Sequence, residues 1–376
     1  MLSCVADYRL AARRRLPRLA FDYLDGGAED GDALHRNREA YRQWCFSPRV
    51  LTDISHCSTA TQFFGRTAAA PMVVGPTGLN GLFWPRADEL LAQAASRAGV
   101  PFVLSTASTS LLEDVRAQAP DGDLWMQLYV QQDRRIAEDV MHRAGAAGYS
   151  TLVLTVDTPV HGKRDYEIRN GFRLPLRLSP KLLADCVTRP HWCWQMLRHG
   201  TPQLKNIARS LGERADLSRH AAMLSRQMDL TLGWHDLDWV RQHWSGKVIV
   251  KGVQTVRSAL LAAAHDADGI VVSNHGGRQL GGAPASLDVL PEIVAVVGDR
   301  LDVFVDGGVR RGSDVVKALA LGARGALMGK AFLYGLGAMG QPGVAAAIGI
   351  IAKELSTTMA LCGQTDVRAI SRDALW

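Results

Sequence analysis

A chain of 376 residues, 47% of them hydrophobic and 21% charged, has the composition of a folded globular protein and not of a disordered one. No run of 18 consecutive apolar residues and no basic segment followed by an apolar run occurs, so we expect neither a bilayer-spanning segment nor a secretory signal. The net charge of +6 suits anionic small molecules, an acidic membrane surface or nucleic acid, but the arginine runs lack the interleaved aromatic residues of a strand-binding surface, so nucleic-acid binding is not expected.

The six cysteines are scattered, without a Cys-x-x-Cys pair or a histidine at zinc-finger spacing. We therefore expect no metal, and a protein of the reducing cytoplasm.

The chain begins with a segment, to about residue 65, whose pattern is typical of helices. A helix-like run over residues 18–25 ends at Gly26 and Gly27, which is a plausible helix stop.

Short β-rich apolar runs then recur, and helix-like stretches such as 88–98, 257–264 and 313–321 lie between them. Eight strand-plus-helix units predict an α/β fold, the closed (β/α)8 TIM barrel, which needs about 250 residues. We expect one domain over 1–376, with an N-terminal helical segment (1–65) and an insertion after the fourth strand (171–235). The predicted strands are residues 71–76, 102–106, 124–129, 151–157, 247–252, 269–274, 302–307 and 325–330.

Every predicted strand ends in polar or glycine residues, and such barrels place their chemistry at the carboxyl ends of the strands. Any one of these residues alone could be an inert start of a loop, but together they favour a site. In chain order they are Thr77 and Gly78; Ser105; Gln127 and Tyr129; Thr155 and Asp157; Lys251; Ser273 and His275; Asp306 and Gly308; Gly329 and Lys330.

Within the insertion, residues 182–197 combine aliphatic side chains with Trp192 and Trp194 and contain only two charged residues. Two interpretations stay open. The segment is either a helix packed on the barrel or an interfacial membrane anchor, since tryptophan is favoured at headgroup level and basic residues flank the segment.

The sixth strand leads into SNHGGRQL, where His275 is followed three residues later by Arg278 in a glycine-rich loop. Histidine is the natural general base near neutral pH, and arginine binds a carboxylate through two hydrogen bonds. The fourth strand ends in Asp157, which could orient and stabilise the imidazole, and Arg164 would add a second positive charge. The alternative for Asp157 is a surface salt bridge.

The last two strand ends are rich in glycine and carry Arg310 and Lys330. Barrels of this kind bind phosphate there through backbone N–H groups and a helix N-terminus. Neither a G-x-G-x-x-G fingerprint after the first strand nor a Walker sequence occurs, so neither a Rossmann-bound dinucleotide nor a P-loop is indicated.

Taken together, SNHGGRQL, the DGGVRRGSDVVKALALGA segment at 306–323, the LTVDTP strand and the Lys251-Gly252 pair resemble the FMN-dependent L-2-hydroxy acid oxidising family, which includes glycolate oxidase and the lactate and mandelate dehydrogenases. The resemblance runs from FDYLDGGAED at residue 21 to the last helix. The stretch GPTGLNGLFWP at 75–85 is most similar to mandelate dehydrogenase, and residues 191–212 are more similar to the respiratory L-lactate dehydrogenases.

The resemblance implies a role for each matching residue. The substrate carboxylate would be held by Tyr23, Arg164 and Arg278, with Tyr129 near the substrate oxygens. His275 would take a proton, Asp157 would stabilise the imidazolium, and Lys251 would stabilise the reduced flavin ring. FMN would further contact Pro76, Thr77, Gly78, Ser105, Gln127, Thr155 and Ser273 at the ring, Asp306 at the ribityl chain, and Gly308, Arg310, Gly329 and Lys330 at the phosphate.

Two departures from the family pattern stand out. Lys330 replaces the usual arginine, which keeps the charge but loses the two-pronged grip on phosphate. Gly281 replaces the common aspartate after RQL, which puts the outer contacts of that loop in doubt.

We expect oxidation of an L-2-hydroxy acid, mandelate first and lactate second, by either carbanion formation or hydride transfer, because both use the same base, carboxylate clamp and flavin. A membrane quinone would accept the electrons from a peripheral protein on the inner face of the cytoplasmic membrane, and the family resemblance suggests a homotetramer. The alternatives are a soluble oxidase that reduces O₂, a nucleotide dehydrogenase with a catalytic cysteine, which is disfavoured because no cysteine ends a strand, and a non-catalytic basic binding protein.

Overall fold

The computed structural model describes residues 2–171, 184–185, 187–211 and 228–376. Eight parallel strands close into a barrel in which each strand pairs with its neighbours in the chain and the last pairs with the first. The predicted fold class is confirmed. Each predicted strand is present, seven of them one to three residues shorter than predicted and the strand predicted at 247–252 one residue longer. In chain order the barrel strands are β3 (Met72–Val74), β4 (Phe102–Ser105), β5 (Leu124–Leu128), β6 (Thr151–Thr155), β7 (Lys247–Val253), β8 (Gly269–Val272), β9 (Asp302–Val305) and β10 (Gly325–Met328).

Helices surround the barrel and bury their apolar stripes against the strands. The three helices predicted around residues 88–98, 257–264 and 313–321 are observed within one residue of those bounds. The described helices are Val5–Arg15, Arg18–Asp25, Asp32–Arg42, Ala87–Arg97, Leu112–Gln118, Arg134–Ala146, Asp165–Arg169, Pro190–His199, Lys205–Ser210, Asp236–His243, Val256–Ala264, Ser286–Val297, Gly312–Ala320, Lys330–Met339 and Gln341–Leu361, with short 3₁₀ turns at Asn80–Leu82, Val367–Ala369 and Arg372–Ala374.

The N-terminal helices end at Arg42, and the segment to residue 65 is therefore only partly helical. It continues into an antiparallel hairpin of β1 (Thr61–Phe63) and β2 (Arg66–Ala68), which the sequence pattern did not indicate. Its two turn residues, Phe64 and Gly65, both have positive φ, as a tight two-residue hairpin turn requires. The hairpin fills the barrel at the amino-terminal ends of its strands. There the ring centroid of Phe63 lies 5.2 Å from that of Phe304 and 6.2 Å from that of Trp125.

The insertion predicted at 171–235 lies partly outside the described residues, as does part of segment 182–197. The helix Pro190–His199 within it packs on the body of the protein through Trp192, whose indole N–H donates to the Leu82 carbonyl at 2.8 Å. On its other face Trp194 is 53% exposed and Leu197 is 86% exposed. The helix therefore both packs on the barrel and presents an apolar surface.

One described helix, Gln341–Leu361, is long and apolar enough to cross a membrane by length and composition. It packs against the helices Val5–Arg15, Gly312–Ala320 and Lys330–Met339, and its backbone approaches Lys330–Met339 so closely that a Cβ on Gly343 would lie 2.0 Å from the Gly335 carbonyl oxygen. Core helices of soluble proteins are often equally long and apolar, so length and composition do not make this helix a membrane span.

Candidate active site

A cavity of about 560 Å³ opens at the carboxyl ends of the barrel strands. It lies where the carboxyl-terminal ends of parallel strands and the loops after them converge. All predicted site residues line it except Asp157 and Ser273, which contact lining residues from behind. The lining residues that the sequence predicted are Tyr23, Pro76, Thr77, Gly78, Ser105, Gln127, Tyr129, Thr155, Arg164, Lys251, His275, Arg278, Asp306, Gly308, Arg310, Gly329 and Lys330.

His275 and Asp157 form a hydrogen-bonded pair, with His275 Nδ1 2.9 Å from Asp157 Oδ1. The alternative of a surface salt bridge for Asp157 is wrong, because only 13% of its side chain is exposed. Burial acts to raise the pKa of Asp157, but the nearby charges of His275 and Lys251 outweigh it and hold that pKa below its usual range. The carboxylate is therefore ionised at neutral pH and can fix the orientation of the imidazole.

The loop after β8 holds His275 in a left-handed conformation, with φ of 58°. Its backbone N–H donates to Ser273 Oγ at 3.0 Å, and Gln279 Nε2 ties the same loop to the Asp157 carbonyl at 3.1 Å. Gly252 leaves the space that the Asp157 side chain occupies, since a Cβ on Gly252 would lie 2.6 Å from the Cβ of Asp157. The backbone thus brings together two loops from non-adjacent strands.

Arg278 and Arg164 face the same cavity, as the two-arginine clamp requires. Arg278 donates to the carbonyls of Tyr23 and Gly26 at 2.8 and 2.9 Å, and the Tyr23 ring lies 5.0 Å from its guanidinium. Glu167, which the sequence analysis did not single out, contacts both guanidinium groups. In the sequence, the one feature that could have pointed to Glu167 is its position three residues after Arg164, where an acidic side chain can pair with the arginine.

Lys251 is buried and forms an ion pair with Asp306, with 3.0 Å between Nζ and Oδ2. Nζ also donates to Ser273 Oγ at 2.9 Å. Burial acts to lower the pKa of Lys251, but Asp306 and Asp157 outweigh it and raise that pKa, so the ammonium is charged. The other oxygen of Asp306 is buried without a hydrogen-bond partner among the described residues.

A row of polar side chains crosses three neighbouring strand ends. Ser105 Oγ donates to Gln127 Oε1 at 2.9 Å, and Gln127 Nε2 donates to Thr155 Oγ1 at 3.1 Å. Together with the unpartnered oxygen of Asp306, this row offers hydrogen bonds to a polar ring system and to hydroxyl groups.

The ends of β9 and β10 create an excess of positive charge. Among the described residues, Lys330 Nζ donates to the carbonyls of Asp25 and Gly26 alone, at 2.9 and 2.8 Å. Removal from water and the proximity of Arg278 and Arg310 lower the pKa of Lys330 well below its usual value. A phosphate would relieve this repulsion. The φ of Gly308, 85°, favours glycine, so this part of the cavity has backbone without a Cβ. The residues present therefore fit FMN.

Sequence reasoning also missed the residues that shape the rest of the cavity. His161 lines it, and removal from water, reinforced by Arg164, His275 and Arg278, lowers the pKa of His161 to about 4, so its imidazole is neutral at neutral pH. The apolar part of the wall is formed by Leu79, Phe83, Ala107, Leu204 and Met228.

Comparisons with known proteins show the family of the chain. A family model described as "FMN-dependent dehydrogenase" matches residues 12–376. The chain is 44% identical to the (S)-mandelate dehydrogenase of Pseudomonas putida, over 99% of this chain and 93% of the relative, and 44% identical to the L-lactate dehydrogenase of Caulobacter sp. (strain K31), over 100% and 98%. A crystal structure of the monotopic membrane protein (S)-mandelate dehydrogenase superposes with a TM-score of 0.96 at 44% identity, covering 100% of this chain and 99% of that one. A crystal structure of mandelate oxidase superposes with a TM-score of 0.85 at 36% identity, covering 100% and 98%.

Proposed function

Because the chain belongs to the FMN-dependent dehydrogenase family, we propose that it oxidises an L-2-hydroxy acid to the 2-oxo acid, with His275 as the base and mandelate as the preferred substrate. The observation that carries this proposal is the convergence of His275, Arg278 and Arg164 on one cavity, with Asp157 hydrogen-bonded behind the imidazole. A base and a carboxylate clamp facing each other are what an anionic hydroxy acid needs.

Substrate binding begins with its carboxylate. Arg278 and Arg164 offer planar guanidinium groups, which bind a carboxylate through paired hydrogen bonds. Tyr23 and Tyr129 line the same part of the cavity and add hydroxyl groups, and burial followed by the charge of Asp157 raises the pKa of Tyr129 to about 12, so that its hydroxyl stays protonated and can donate. Once the carboxylate is fixed, the adjacent carbon and its hydroxyl are held near His275.

His275 then takes a proton from the substrate. With Asp157 accepting at Nδ1, the other ring nitrogen is the one that serves the cavity, and the ionised Asp157 stabilises the imidazolium that forms. Bound FMN supplies the acceptor for the two electrons that leave the substrate.

The residues that would hold FMN divide by chemistry. Ser105, Gln127 and Thr155 would bond the ring, with Pro76, Thr77 and Gly78 beside it and Ser273 and Lys251 on its polar edge. Asp306 would accept from the ribityl hydroxyls. The phosphate would lie against the positive end of the cavity, formed by Gly308, Arg310, Gly329 and Lys330.

Mandelate is the first choice because part of the cavity wall is apolar and contains an aromatic ring, Phe83, whose centroid lies 6.1 Å from that of the Tyr23 ring. Leu79, Phe83, Leu204 and Met228 form a wall that suits an aryl side chain. Lactate is the second choice, because its methyl group would contact less of that wall. Both substrates agree with the names of the relatives.

A membrane quinone is the proposed electron acceptor, reached from the inner face of the cytoplasmic membrane. Two observations support it: the exposed Trp194 and Leu197 on one helix face, flanked by Arg198, and a similar structure described as a monotopic membrane protein. We also propose a homotetramer, for which the family resemblance is the only support.

The test is anaerobic bleaching of the yellow holoenzyme with a panel of L- and D-hydroxy acids. We expect L-mandelate to bleach the flavin fastest, L-lactate more slowly, and the D-isomers not at all. A colourless protein that cannot be reconstituted with FMN would contradict the proposal.

The second candidate function is a soluble oxidase, which the similarity to mandelate oxidase favours. Aerobic turnover separates the two. An oxidase forms one hydrogen peroxide for each substrate oxidised, whereas a dehydrogenase forms little peroxide and instead reduces an added quinone.

A further inference from the structure

Glu167 lies between the two arginines of the carboxylate clamp. Its Oε1 accepts from Arg278 Nη2 at 3.0 Å and lies 3.5 Å from Arg164 Nη1. The three side chains are between 11% and 15% exposed. One carboxylate oxygen thus contacts both guanidinium groups at the wall of the cavity.

The local fold dictates this placement. Arg164 immediately precedes the short helix Asp165–Arg169, which puts Glu167 on the same side one turn later. The loop before the helix is held against the loop of Arg278, because a Cβ on Gly162 would lie 2.2 Å from the Gln279 carbonyl oxygen. Glu167 therefore reaches across from one loop to the other.

Arg278 is anchored on three sides. Two of its N–H groups donate to backbone carbonyls, and Glu167 is its one carboxylate partner among the described residues. Without a charged partner, two guanidinium groups this close and this far from water would repel each other. Glu167 offsets that repulsion before any substrate arrives.

The charges also show what Glu167 does to a bound anion. With Glu167 ionised, the two arginines and the glutamate carry a net charge of +1, since two positive charges are opposed by one negative. A substrate carboxylate that binds the same guanidinium groups has a second carboxylate as its neighbour. Like charges that share a partner weaken each other's binding.

We propose, on the basis of the proposed function, that Glu167 is a positioning residue for the two arginines that bind the substrate carboxylate. Glu167 holds Arg278 and Arg164 in place. It also weakens their binding of the carboxylate, so that the 2-oxo acid product can leave. The hydrogen bond from Arg278 to Glu167 and the negative charge of Glu167 contribute separately, and two substitutions distinguish these contributions. Glu167→Gln keeps an oxygen that accepts from Arg278 and removes the charge. Glu167→Ala removes both.

The experiment measures binding of oxalate, an unreactive carboxylate, to the FMN-loaded enzyme by calorimetry, together with KM and kcat for the hydroxy acid that wild type oxidises. Asp165→Asn is the matched control, because Asp165 lies on the same helix, outside the cavity, and pairs with Lys163 at 3.2 Å. The visible flavin spectrum of each variant establishes that the protein is folded and loaded.

We expect Glu167→Gln to bind oxalate on the order of tenfold more tightly than wild type, with a lower KM and stronger inhibition by the 2-oxo acid product. Glu167→Ala should bind oxalate about tenfold more weakly than Glu167→Gln, since Arg278 loses an anchor. Asp165→Asn should match wild type.

The proposal is overturned if Glu167→Gln binds oxalate no more tightly than wild type, or if Glu167→Ala and Glu167→Gln bind it equally. A wild-type enzyme that oxidises no 2-hydroxy acid would instead refute the proposed function. The two failures are therefore distinguishable.

Discussion

His275 and Asp157 lie 118 residues apart in the chain, yet His275 Nδ1 and Asp157 Oδ1 are 2.9 Å apart at the mouth of the barrel. They follow strands β8 and β6, which are separated by β7. Because the carboxylate fixes one ring nitrogen, the other is left to act on a substrate. This pair is the geometric basis of the proton transfer that we propose.

Replacement of the proposed base should lower turnover sharply without loss of the cofactor. We expect His275→Ala to keep its yellow colour and to lose kcat by about 10²–10⁴-fold, the usual contribution of a general base. Asp157→Asn should lose less than His275→Ala, because the imidazole remains but its cation is no longer stabilised. The measurement is steady-state turnover normalised to bound FMN, and near-normal activity in His275→Ala would show that the base is another residue.

A methyl group at Gly252 should displace Asp157. Gly252 has φ of 111°, and the added carbon would lie 2.6 Å from the Asp157 Cβ, so Gly252→Ala carries both backbone strain and a collision with the dyad. We expect a loss of at least about tenfold in kcat. Gly65→Ala is the control: its φ of 82° brings similar strain, but no atom lies within 4 Å of the added carbon. That variant should lose about 1 kcal/mol of stability and keep its kcat. Equal kcat values for the two variants would refute the argument.

Lys330 should make the protein without FMN less stable at lower pH. Its folded-state pKa is lowered, so between that value and the unfolded one the unfolded state binds more protons, and stability rises with pH. Lys330→Met should raise the melting temperature of the FMN-free protein and flatten its increase with pH. The same variant should weaken FMN binding by about tenfold or more, because a phosphate partner is lost. Unchanged FMN affinity, measured by fluorescence titration, would remove Lys330 from the phosphate site.

The exposed face of the helix Pro190–His199 should bind membranes. We expect the double variant Trp194→Ser, Leu197→Ser to sediment with anionic phospholipid vesicles about tenfold less than wild type, since insertion of apolar side chains drives such binding. Oxidation of the hydroxy acid with a soluble dye as acceptor should not change. Leu260→Ser is the control, because Leu260 is 41% exposed and lies on the helix Val256–Ala264, away from this face. Equal sedimentation of wild type and the double variant would exclude this face as the anchor.

Some features of the site could not be found by inspection of strand ends. His161 lies in the loop after β6, and Glu167 lies in the short helix that follows this loop. No periodic pattern in this segment indicates which side chains face the cavity. Gln279 is near the end of the SNHGGRQL motif, and its side-chain amide ties the loop of His275 to the loop of Asp157 by donating to the carbonyls of Asp157 and Val160. Gly281 leaves room for Glu29, whose carboxylate lies 2.3 Å from where a Cβ would be. Each of these roles depends on a contact between distant segments.

The sequence alone determined the barrel and the polar residues that follow the strand ends at its mouth. Apolar runs bounded by polar residues report on burial, which is a local property, and parallel strands bring all their carboxyl ends to one side. The sequence suggested that Asp157 supports His275, and the tertiary structure established that contact. Tertiary structure alone decided that Asp306 neutralises Lys251 and that Glu167 joins the two arginines. Hydrogen bonds and ion pairs depend on distances of a few ångströms between loops from different strands, and no local pattern in the chain encodes those distances.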